Sequence, residues 1–367
     1  MRVLLSGGGT GGHINPALAI AKRILKSDPE AQIAFVGTPY GMENKLIPRE
    51  GFKLYHVDVK GFIRKLTPKN IPIFYKAITS PFKAKKILKE FKPDIVIGTG
   101  GYASWPIVKA AAKAKIPTAI HEQNAVPGVT TKMLSRYVDR IMISFKESAE
   151  YIGMAEKTVL VGNPVSPDIL AADTDAARAK YNPHNKLSVL SFGGSLGARE
   201  INNNVLAFIE KYVASHDDVI HTHAVGSYEW QKRSEQVEKL KGVENAEILE
   251  YIYDMPSRMA ASDVVICRAG AITLAELQIL GKPAVLIPSP NVTNNHQYKN
   301  ALVLKNSGAA ELIEEKDLTP EVLIKTVDEL VRDKEKLSEM RKNMLSLAIR
   351  DSGDRIYDII KELTDKK

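Results

Sequence analysis

Cysteine and long hydrophobic runs are nearly missing from this sequence, which holds a single cysteine, Cys267. One thiol excludes an intramolecular disulfide framework and a zinc site built from cysteines, and this usage suits a reducing cytoplasm. No apolar run reaches the ~18–20 residues that cross a bilayer, so we expect neither secretion nor membrane insertion. A composition with 44% hydrophobic and 26% charged residues is typical of a folded globular protein.

Acidic residues are scarce in one segment, residues 60–92, where ten Lys/Arg accompany the single acid Glu90. The segment has a net charge of +9, so the rest of the chain, whose total is +8, sums to −1. Aromatic residues such as Phe62, Phe74 and Phe82 interleave with the cations. This mixture is typical of contact with an anionic bilayer, although lysines on a solvated face over a core are the simpler alternative. Nucleic acid would accept the same charge, but no nucleic-acid-binding motif accompanies it.

Strand-like runs alternate with helical patterns twice along the 367 residues, a length sufficient for two domains. Short apolar runs of this kind predict parallel sheets covered by helices on both faces. The segment GNPVSPD, with two prolines three residues apart, predicts a hinge. We expect two doubly wound domains around a cleft, over residues 1–163 and 164–345, with an amphipathic helix in 346–367 packing back on the first. The predicted strands are RVLLS, AQIAFVG, DIVIG, TAIHE and RIMIS in the first half and LSVLSFGG, VIHTHAVG, AEILEY, DVVIC and AVLIP in the second.

Glycine-rich turns at 6–13, 98–104 and 191–200 each follow a predicted strand and precede a predicted helix. Amide groups at a helix start attract phosphate, although any one such turn can equally serve packing alone. Three of them together favour a phosphorylated ligand.

A dinucleotide site would need an acidic residue directly after the second strand, about 20 residues beyond the glycines. Gly37, Thr38 and Pro39 stand there, and the next acid is Glu43, so a dehydrogenase is disfavoured. His13 stands where the first helix begins, and the helix dipole there favours a neutral imidazole. We predict that His13 is a general base, the alternative being a histidine that bonds the backbone at the helix start.

A set of blocks that spans Arg2 to about residue 350 resembles the MurG family of N-acetylglucosaminyltransferases. The blocks are GGGTGGHINPALAIA, GTGGYASWPIVKAA, HEQNAVPGVTTKMLSRYVDRI, GNPV, SFGGSLGAREINN and CRAGAITLAELQILGKPAVLIP…NNHQYKNA. The resemblance implies a GT-B fold whose first domain binds a lipid acceptor and whose second binds a UDP-sugar. It also implies an inverting transfer from UDP-N-acetylglucosamine to the 4-hydroxyl of N-acetylmuramic acid in lipid I, giving lipid II for peptidoglycan.

The same resemblance implies the setting of the reaction. The partners would be lipid I, the anionic cytoplasmic face of the bacterial membrane, and other proteins of wall synthesis or division. Amide donors at helix starts can stabilise the leaving diphosphate, so we expect that no metal or other cofactor is required.

Each candidate site residue has a role implied by the resemblance. The catalytic pair is His13, the base, and Glu276, whose carboxylate would accept hydrogen bonds from the donor ribose. Isolated on a helix, Glu276 would more often be a solvated residue. The remaining donor-binding residues are Thr10, Gly11, Gly12, Asn124, Ser166, Ser195, Ile252, Arg268 and Gln297, of which Ile252 would use its backbone to bind uracil. Tyr102 and His121 would line the acceptor side, with a turn histidine whose hydrogen bonds are satisfied within the protein as the alternative for His121.

Two positions depart from the family pattern. Ser166 stands where some members have an arginine that reaches the diphosphate, so Ser166 makes a weaker contact or Arg199 supplies the charge. His296 stands where many relatives have a glutamine beside the one matched by Gln297, which changes the donors offered to the sugar.

The triplet DTD at 173–175 matches the Asp-x-Asp motif with which another glycosyltransferase fold binds Mn²⁺. It does not end an apolar strand, so we predict that Asp173 or Asp175 caps a helix and holds no metal. Three alternatives to the transferase remain: a UDP-N-acetylglucosamine 2-epimerase of similar fold, the dehydrogenase, and a non-catalytic membrane scaffold.

Overall fold

The computed structural model describes the backbone of residues 1–59 and 70–365 and the side chains of residues 1–59 and 80–365. The chain forms two compact units: unit 1 comprises residues 1–165 and 351–367, and unit 2 comprises residues 166–350. The chain passes from unit 1 to unit 2 inside the GNPVSPD segment.

Unit 1 is built on a seven-stranded sheet with the order β3-β2-β1-β4-β5-β6-β7, and every neighbouring pair is parallel. Its strands are β1 (Arg2–Gly7), β2 (Gln32–Gly37), β3 (Lys53–His56), β4 (Ile95–Gly100), β5 (Thr118–Glu122), β6 (Arg140–Ile143) and β7 (Thr158–Leu160). Its helices are α1 (Gly11–Ser27), α2 (Glu43–Arg49), α3 (Asn70–Phe91), α4 (Ser104–Lys113), α5 (Val129–Leu134), α6 (Ser148–Ile152) and, from the end of the chain, α17 (Ser352–Asp365).

Both faces of this sheet are covered by helices. Alternate residues of β1 enter opposite cores: Leu5 packs with α1 and α17, whereas Leu4 packs with α3 and α4. In the register of the sheet Leu5 pairs with Phe35 on one side and Ile97 on the other. An unbroken apolar strand with a buried residue on each face is what a doubly wound sheet requires.

Helix α17 anchors the end of the chain to unit 1. Its apolar side, which includes Ile356 and Ile360, enters the core that α1 shares with the sheet. Arg23 of α1 forms an ion pair with Asp354 at 2.6 Å. The amphipathic pattern of this helix is therefore used within unit 1.

Unit 2 is built on a six-stranded parallel sheet with the order β10-β9-β8-β11-β12-β13. Its strands are β8 (Leu187–Phe192), β9 (Val219–Ala224), β10 (Ala246–Leu249), β11 (Val264–Cys267), β12 (Ala284–Leu286) and β13 (Ala310–Leu312). Its helices are α7 (Pro167–Leu170), α8 (Thr174–Tyr181), α9 (Arg199–Lys211), α10 (Ser227–Trp230), α11 (Ser234–Lys239), α12 (Met255–Ala261), α13 (Ala271–Leu280), α14 (His296–Asn306), α15 (Pro320–Arg332) and α16 (Lys334–Ser346). The prediction of an α/β, doubly wound fold is confirmed.

Candidate active-site residues

Each sheet has one point where the strand order reverses, between β1 and β4 in unit 1 and between β8 and β11 in unit 2. Ligands of doubly wound sheets bind outside the carboxyl ends of the strands at such a switch point. In unit 1 this position is occupied by the first two glycine-rich turns and His13. In unit 2 it is occupied by the third glycine-rich turn, Arg268 and the start of α13.

His13 is the third residue of α1. Its N–H donates to the carbonyl of Thr10 at 3.1 Å, and its own carbonyl accepts from the hydroxyl of Thr99 at 2.7 Å. Its ring packs against Gly100, where a Cβ would overlap Nδ1 and lie 2.7 Å from Cε1. Gly100 also has a φ of +112°, which only glycine adopts readily. The second glycine-rich turn therefore provides the space in which this imidazole lies.

The side chain of Gln123 lies between the rings of His13 and His121 and contacts both. The Oε1 atom of Gln123 lies 3.3 Å from His13 Nδ1, and its Nε2 lies 2.9 Å from both the Nδ1 and the carbonyl oxygen of His121. His121 Nε2 lies 2.9 Å from the carbonyl of Gly162. Nε2 of His13 has no hydrogen-bond partner in the described part of the chain.

The placement of His121 corrects the sequence-based prediction. Its side chain is only 1% exposed, and burial lowers the pKa of the imidazole. It therefore does not line an acceptor surface directly. Gln123 was not predicted from the sequence. Residues 121 and 123 lie on one face of an extended strand, however, and this spacing predicts that their side chains can contact each other.

The first glycine-rich turn is filled by the buried carboxylate of Glu43. This group accepts hydrogen bonds from the N–H of Gly9 at 3.0 Å and from the N–H and hydroxyl of Thr38, both at 2.8 Å. Burial alone raises the pKa of Glu43, but the bonds from Gly9 and Thr38 outweigh it and hold the pKa below its usual value. An ionised carboxylate repels phosphate. The expectation that all three glycine-rich turns bind phosphate therefore does not extend to the Gly9 amide.

A second buried carboxylate, Glu122, organises the loop after β5. It accepts hydrogen bonds from the N–H of Asn124 at 3.1 Å, the N–H of Gly128 at 3.0 Å and the hydroxyl of Thr131 at 2.5 Å. The side-chain amide of Asn124 donates to the same group at 3.2 Å. Glu122 thus fixes Asn124 at the carboxyl end of its strand.

In unit 2 the third glycine-rich turn joins β8 to α9. Gly197 has a φ of +86°, and a Cβ there would overlap the carbonyl of Val225. The carbonyl of Ser195 accepts from the N–H of Ser227 at 3.1 Å, so the turn is tied to the loop after β9. The hydroxyl of Ser195 is exposed and makes no hydrogen bond within the described residues. It is available to an external ligand.

Glu276 lies on α13, which begins directly after the switch point of unit 2. Its carboxyl is partly buried and has no hydrogen bond or ion pair to any residue that the structure describes. Burial raises the pKa of Glu276 to about 7. Burial without a partner is costly for a carboxylate, and hydroxyl donors from a ligand would remove that cost.

Three further predicted donor-binding residues also lie in unit 2. Arg268 forms an ion pair with Glu315, and it donates to the carbonyl of Ile287 at 3.1 Å. Gln297 accepts from the N–H of Ser289 at 2.9 Å, which fixes its amide nitrogen on the other side. The side chain of Ile252 is buried, whereas its N–H and carbonyl have no hydrogen-bond partner among the described residues, as a backbone contact to a base requires.

The two residues that depart from the family pattern, Ser166 and His296, both contact residues close to them in sequence. The hydroxyl of Ser166 caps α7 by accepting from the N–H of Ile169 at 3.4 Å. Arg199, its possible substitute, pairs with Glu200 at 2.8 Å and remains largely exposed. His296 Nδ1 lies 2.9 Å from the carbonyl of Thr293.

The remaining predicted residues of unit 1 lie near the start of α1 and after β4. Thr10 is the N-cap of α1 but its hydroxyl makes no capping bond. Gly11 and Gly12 form the first helical residues, whose amides have no partner within a helix. Tyr102 is 60% exposed.

The DTD triplet serves a structural role. Asp173 is the N-cap of α8, and its carboxylate accepts from the N–H groups of Asp175 at 2.8 Å and Ala176 at 3.0 Å. The prediction of a helix cap is confirmed. Separately, among the described side chains of residues 1–59 and 80–365, no three or more His, Cys, Asp or Glu are grouped so as to hold a metal ion.

Two parallel, doubly wound units, each with candidate ligand-binding residues at its switch point, are the α/β architecture of the GT-B fold class. The N-terminal domain of glycosyltransferase family 28 matches residues 3–143, and the family's C-terminal domain matches residues 188–363. The chain belongs to glycosyltransferase family 28.

Individual relatives agree with the family. A protein of Acetivibrio thermocellus named UDP-N-acetylglucosamine–N-acetylmuramyl-(pentapeptide) pyrophosphoryl-undecaprenol N-acetylglucosamine transferase is 45% identical, with 100% of this chain and 99% of that protein covered. The crystal structure of Acinetobacter baumannii MurG superimposes with a TM-score of 0.79 at 30% identity, covering 98% of this chain and 99% of the other. The resemblance to the MurG family is confirmed.

A UDP-N-acetylglucosamine 2-epimerase from Neisseria meningitidis, with a TM-score of 0.66 and 15% identity, covers 99% of this chain and 100% of its own. At that identity it shares the fold alone.

Proposed function

We propose that this chain transfers N-acetylglucosamine, with inversion, from UDP-N-acetylglucosamine to the 4-hydroxyl of N-acetylmuramic acid in lipid I, giving lipid II. Membership of family 28 and the names of full-length relatives support this reaction. The observation that carries it is the imidazole of His13, which lies at the switch point of unit 1 with Nε2 unpartnered among the described residues.

In the proposed step His13 Nε2 takes the proton of the acceptor hydroxyl as its oxygen attacks the anomeric carbon. The bond from that carbon to the diphosphate oxygen breaks, and its electron pair leaves with UDP. The step requires a base within hydrogen-bond reach of the attacking hydroxyl, and we assign that position to His13. Unit 1 would thus bind the acceptor, and unit 2 the donor.

Donor binding by unit 2 is supported by groups of that unit that have no hydrogen-bond partner among the described residues. The carboxylate of Glu276 would accept the ribose hydroxyls, and the hydroxyl of Ser195 would donate to the diphosphate. The first turn of α13 has no acidic residue, so its dipole is available to the growing negative charge. We expect the Ser195 hydroxyl and the start of α13 to replace a bound cation at the diphosphate. The remaining contacts to UDP-N-acetylglucosamine would come from Thr10, Gly11, Gly12, Asn124, Arg268 and Gln297.

A lipid-linked acceptor requires access to the membrane, and residues 60–92 remain the proposed contact surface. Residues 60–69 and the side chains of 70–79 lie outside what the structure describes. Among the described residues of α3, Phe82 is 71% exposed and is followed by the exposed cations Lys83, Lys85 and Lys86. No helix in the described ranges is long and apolar enough to cross a membrane. We place the enzyme at the cytoplasmic face as a peripheral protein.

Co-sedimentation with phosphatidylglycerol vesicles tests this surface. Replacement of Arg64, Lys65 and Lys69 by glutamate should abolish binding, because each change reverses a charge near the anionic headgroups. Undiminished sedimentation of the triple variant would rule the surface out.

A transfer assay with UDP-N-acetylglucosamine and lipid I tests the reaction. We expect lipid II to form at the same rate with and without EDTA, and His13→Ala to abolish it. An epimerase would instead convert UDP-N-acetylglucosamine alone, so product formed without lipid I would overturn the proposal.

A further inference from the structure

We propose that Gln123 is a positioning residue that fixes the imidazole of His13 in the tautomer with the proton on Nδ1. This inference rests on the proposed role of His13 as the base. The buried ring of His121 and the carbonyl of Gly162 form the inner end of the same hydrogen-bonded chain.

The carbonyl of Gly162 determines which atom donates in each of these hydrogen bonds. A backbone carbonyl only accepts hydrogen bonds, so the Nε2 atom of His121, at 2.9 Å, must carry a proton. Burial lowers the pKa of His121 and keeps the ring neutral. A neutral imidazole protonated on Nε2 has a lone pair on Nδ1, which therefore accepts from Gln123.

The amide of Gln123 is oriented by a second, independent contact. Its Nε2 lies 2.9 Å from the carbonyl of His121 as well as from the ring nitrogen, and only an N–H group can satisfy that carbonyl. The amide oxygen must then be the atom that lies 3.3 Å from His13 Nδ1. An amide oxygen accepts only, so His13 Nδ1 donates and carries the proton.

The consequence falls on the other nitrogen of His13. With the proton held on Nδ1, the neutral ring has its lone pair on Nε2, the atom without a partner among the described residues. When Nε2 takes a proton from the acceptor, the Nδ1–H to Gln123 bond persists and is strengthened by the charge. Removal of Gln123 would allow the proton to lie on Nε2, where it would abolish the base.

The size of the effect can be bounded by a known case. Where a carboxylate orients the catalytic histidine of a serine protease, loss of the correct tautomer lowers kcat about 10⁴-fold. Gln123 is neutral and stabilises the imidazolium less than a carboxylate does. We therefore expect its loss to lower kcat by on the order of 10²-fold.

The test compares Gln123→Met with the wild-type full chain. Protein labelled with ¹⁵N in its histidine rings gives one pair of ring signals per histidine, and His13→Asn identifies the pair that belongs to His13. We expect the wild type to show a protonated Nδ1 and a lone pair on Nε2, and Gln123→Met to lose that pattern. In the transfer assay kcat should fall while KM for UDP-N-acetylglucosamine stays unchanged, because the donor contacts of unit 2 are intact.

Two further variants separate positioning from folding. In Gln123→Glu one carboxyl oxygen faces His13, and the other, when protonated, donates to His121 in place of the amide. This variant should retain the Nδ1 proton on His13 and a kcat closer to that of the wild type than Gln123→Met. Gln231→Met removes the amide of an exposed glutamine in unit 2 and should match the wild type in every readout.

The outcomes distinguish this inference from the proposed function. Wild-type kcat and unchanged His13 signals in Gln123→Met would overturn the positioning role, while an inactive His13→Asn in the same assay would leave the base in place. Transfer by His13→Asn at the wild-type rate would instead remove the base assignment itself.

Discussion

The ring of His13 lies in space that exists because residue 100 is glycine. A Cβ at Gly100 would lie 2.7 Å from Cε1 of the ring, closer than van der Waals contact allows. We predict that Gly100→Ala displaces the imidazole and lowers kcat by at least ~10²-fold, the effect of moving a reacting group by about 1 Å. Steady-state kinetics with lipid I measure it.

The control for Gly100→Ala is Gly51→Ala. Gly51 also has a positive φ, +81°, but a Cβ there would meet nothing within 4 Å. It carries a comparable backbone strain without touching His13, so its kcat should stay at the wild-type value. Equal losses in the two variants would show that strain, and not displacement of the ring, is responsible.

The raised pKa of Glu276 predicts a pH dependence of donor binding. With a pKa of about 7 the carboxyl is mostly protonated at pH 6 and mostly ionised at pH 8. Only the carboxylate can accept both ribose hydroxyls, so affinity should rise as the pH rises through 7. We expect Kd for UDP-N-acetylglucosamine to be about tenfold weaker at pH 6 than at pH 8 by calorimetry. Glu276→Gln should bind weakly at both values; a tenfold ratio in that variant would assign the titration to another group.

The hydroxyl of Ser195 has no hydrogen-bond partner among the described residues, which predicts that its removal weakens binding of the donor substrate alone. Ser195→Ala should weaken UDP binding by about 1.5 kcal/mol, or roughly tenfold in Kd, which is the contribution of a hydrogen bond to a charged group. Ser227→Ala is the matched control, since the Ser227 hydroxyl donates to the carbonyl of Ser195 at 3.2 Å and steadies the same turn. If both variants lose affinity equally, turn geometry and not the hydroxyl is what the diphosphate requires.

The sequence predicted the inner strands of both sheets but missed three of the outer ones. All ten apolar runs are strands, whereas β3, β7 and β13 were not recognised, and each of these is an edge strand of three or four residues. An edge strand has one neighbour and is partly exposed, so it needs no continuous apolar run. Residues such as Lys53 and Glu311 stand within these strands.

In the candidate site, too, some features were predicted from the sequence and others were not. The turns and His13 follow from the sequence because glycine spacing and helix starts are local features. Glu43 and Gln123 act across 34 and 110 residues of sequence, on Gly9 and His13, and no local pattern marks such contacts. Gln123 was therefore not predicted, and Glu43 was considered only as a possible contact to the ribose of a dinucleotide.

A pair of buried histidines in unit 2 predicts loss of stability in acid. Ser191 Oγ lies 2.6 Å from His221 Nε2 and 2.7 Å from His223 Nδ1, and both rings are inaccessible to water. Burial lowers the pKa of His223 to about 4 and holds the pKa of His221 well below its usual value.

Between pH 6.5 and 4 the unfolded chain therefore binds protons that the folded chain does not, so stability is lost as the pH falls. For His223 alone the loss between pH 8 and pH 5 is about 2 kcal/mol by linkage. Urea unfolding in a Trp105→Phe background, where Trp230 reports on unit 2, should show this loss, and His223→Phe should reduce it. An equally steep pH dependence in His223→Phe would place the titrating groups elsewhere.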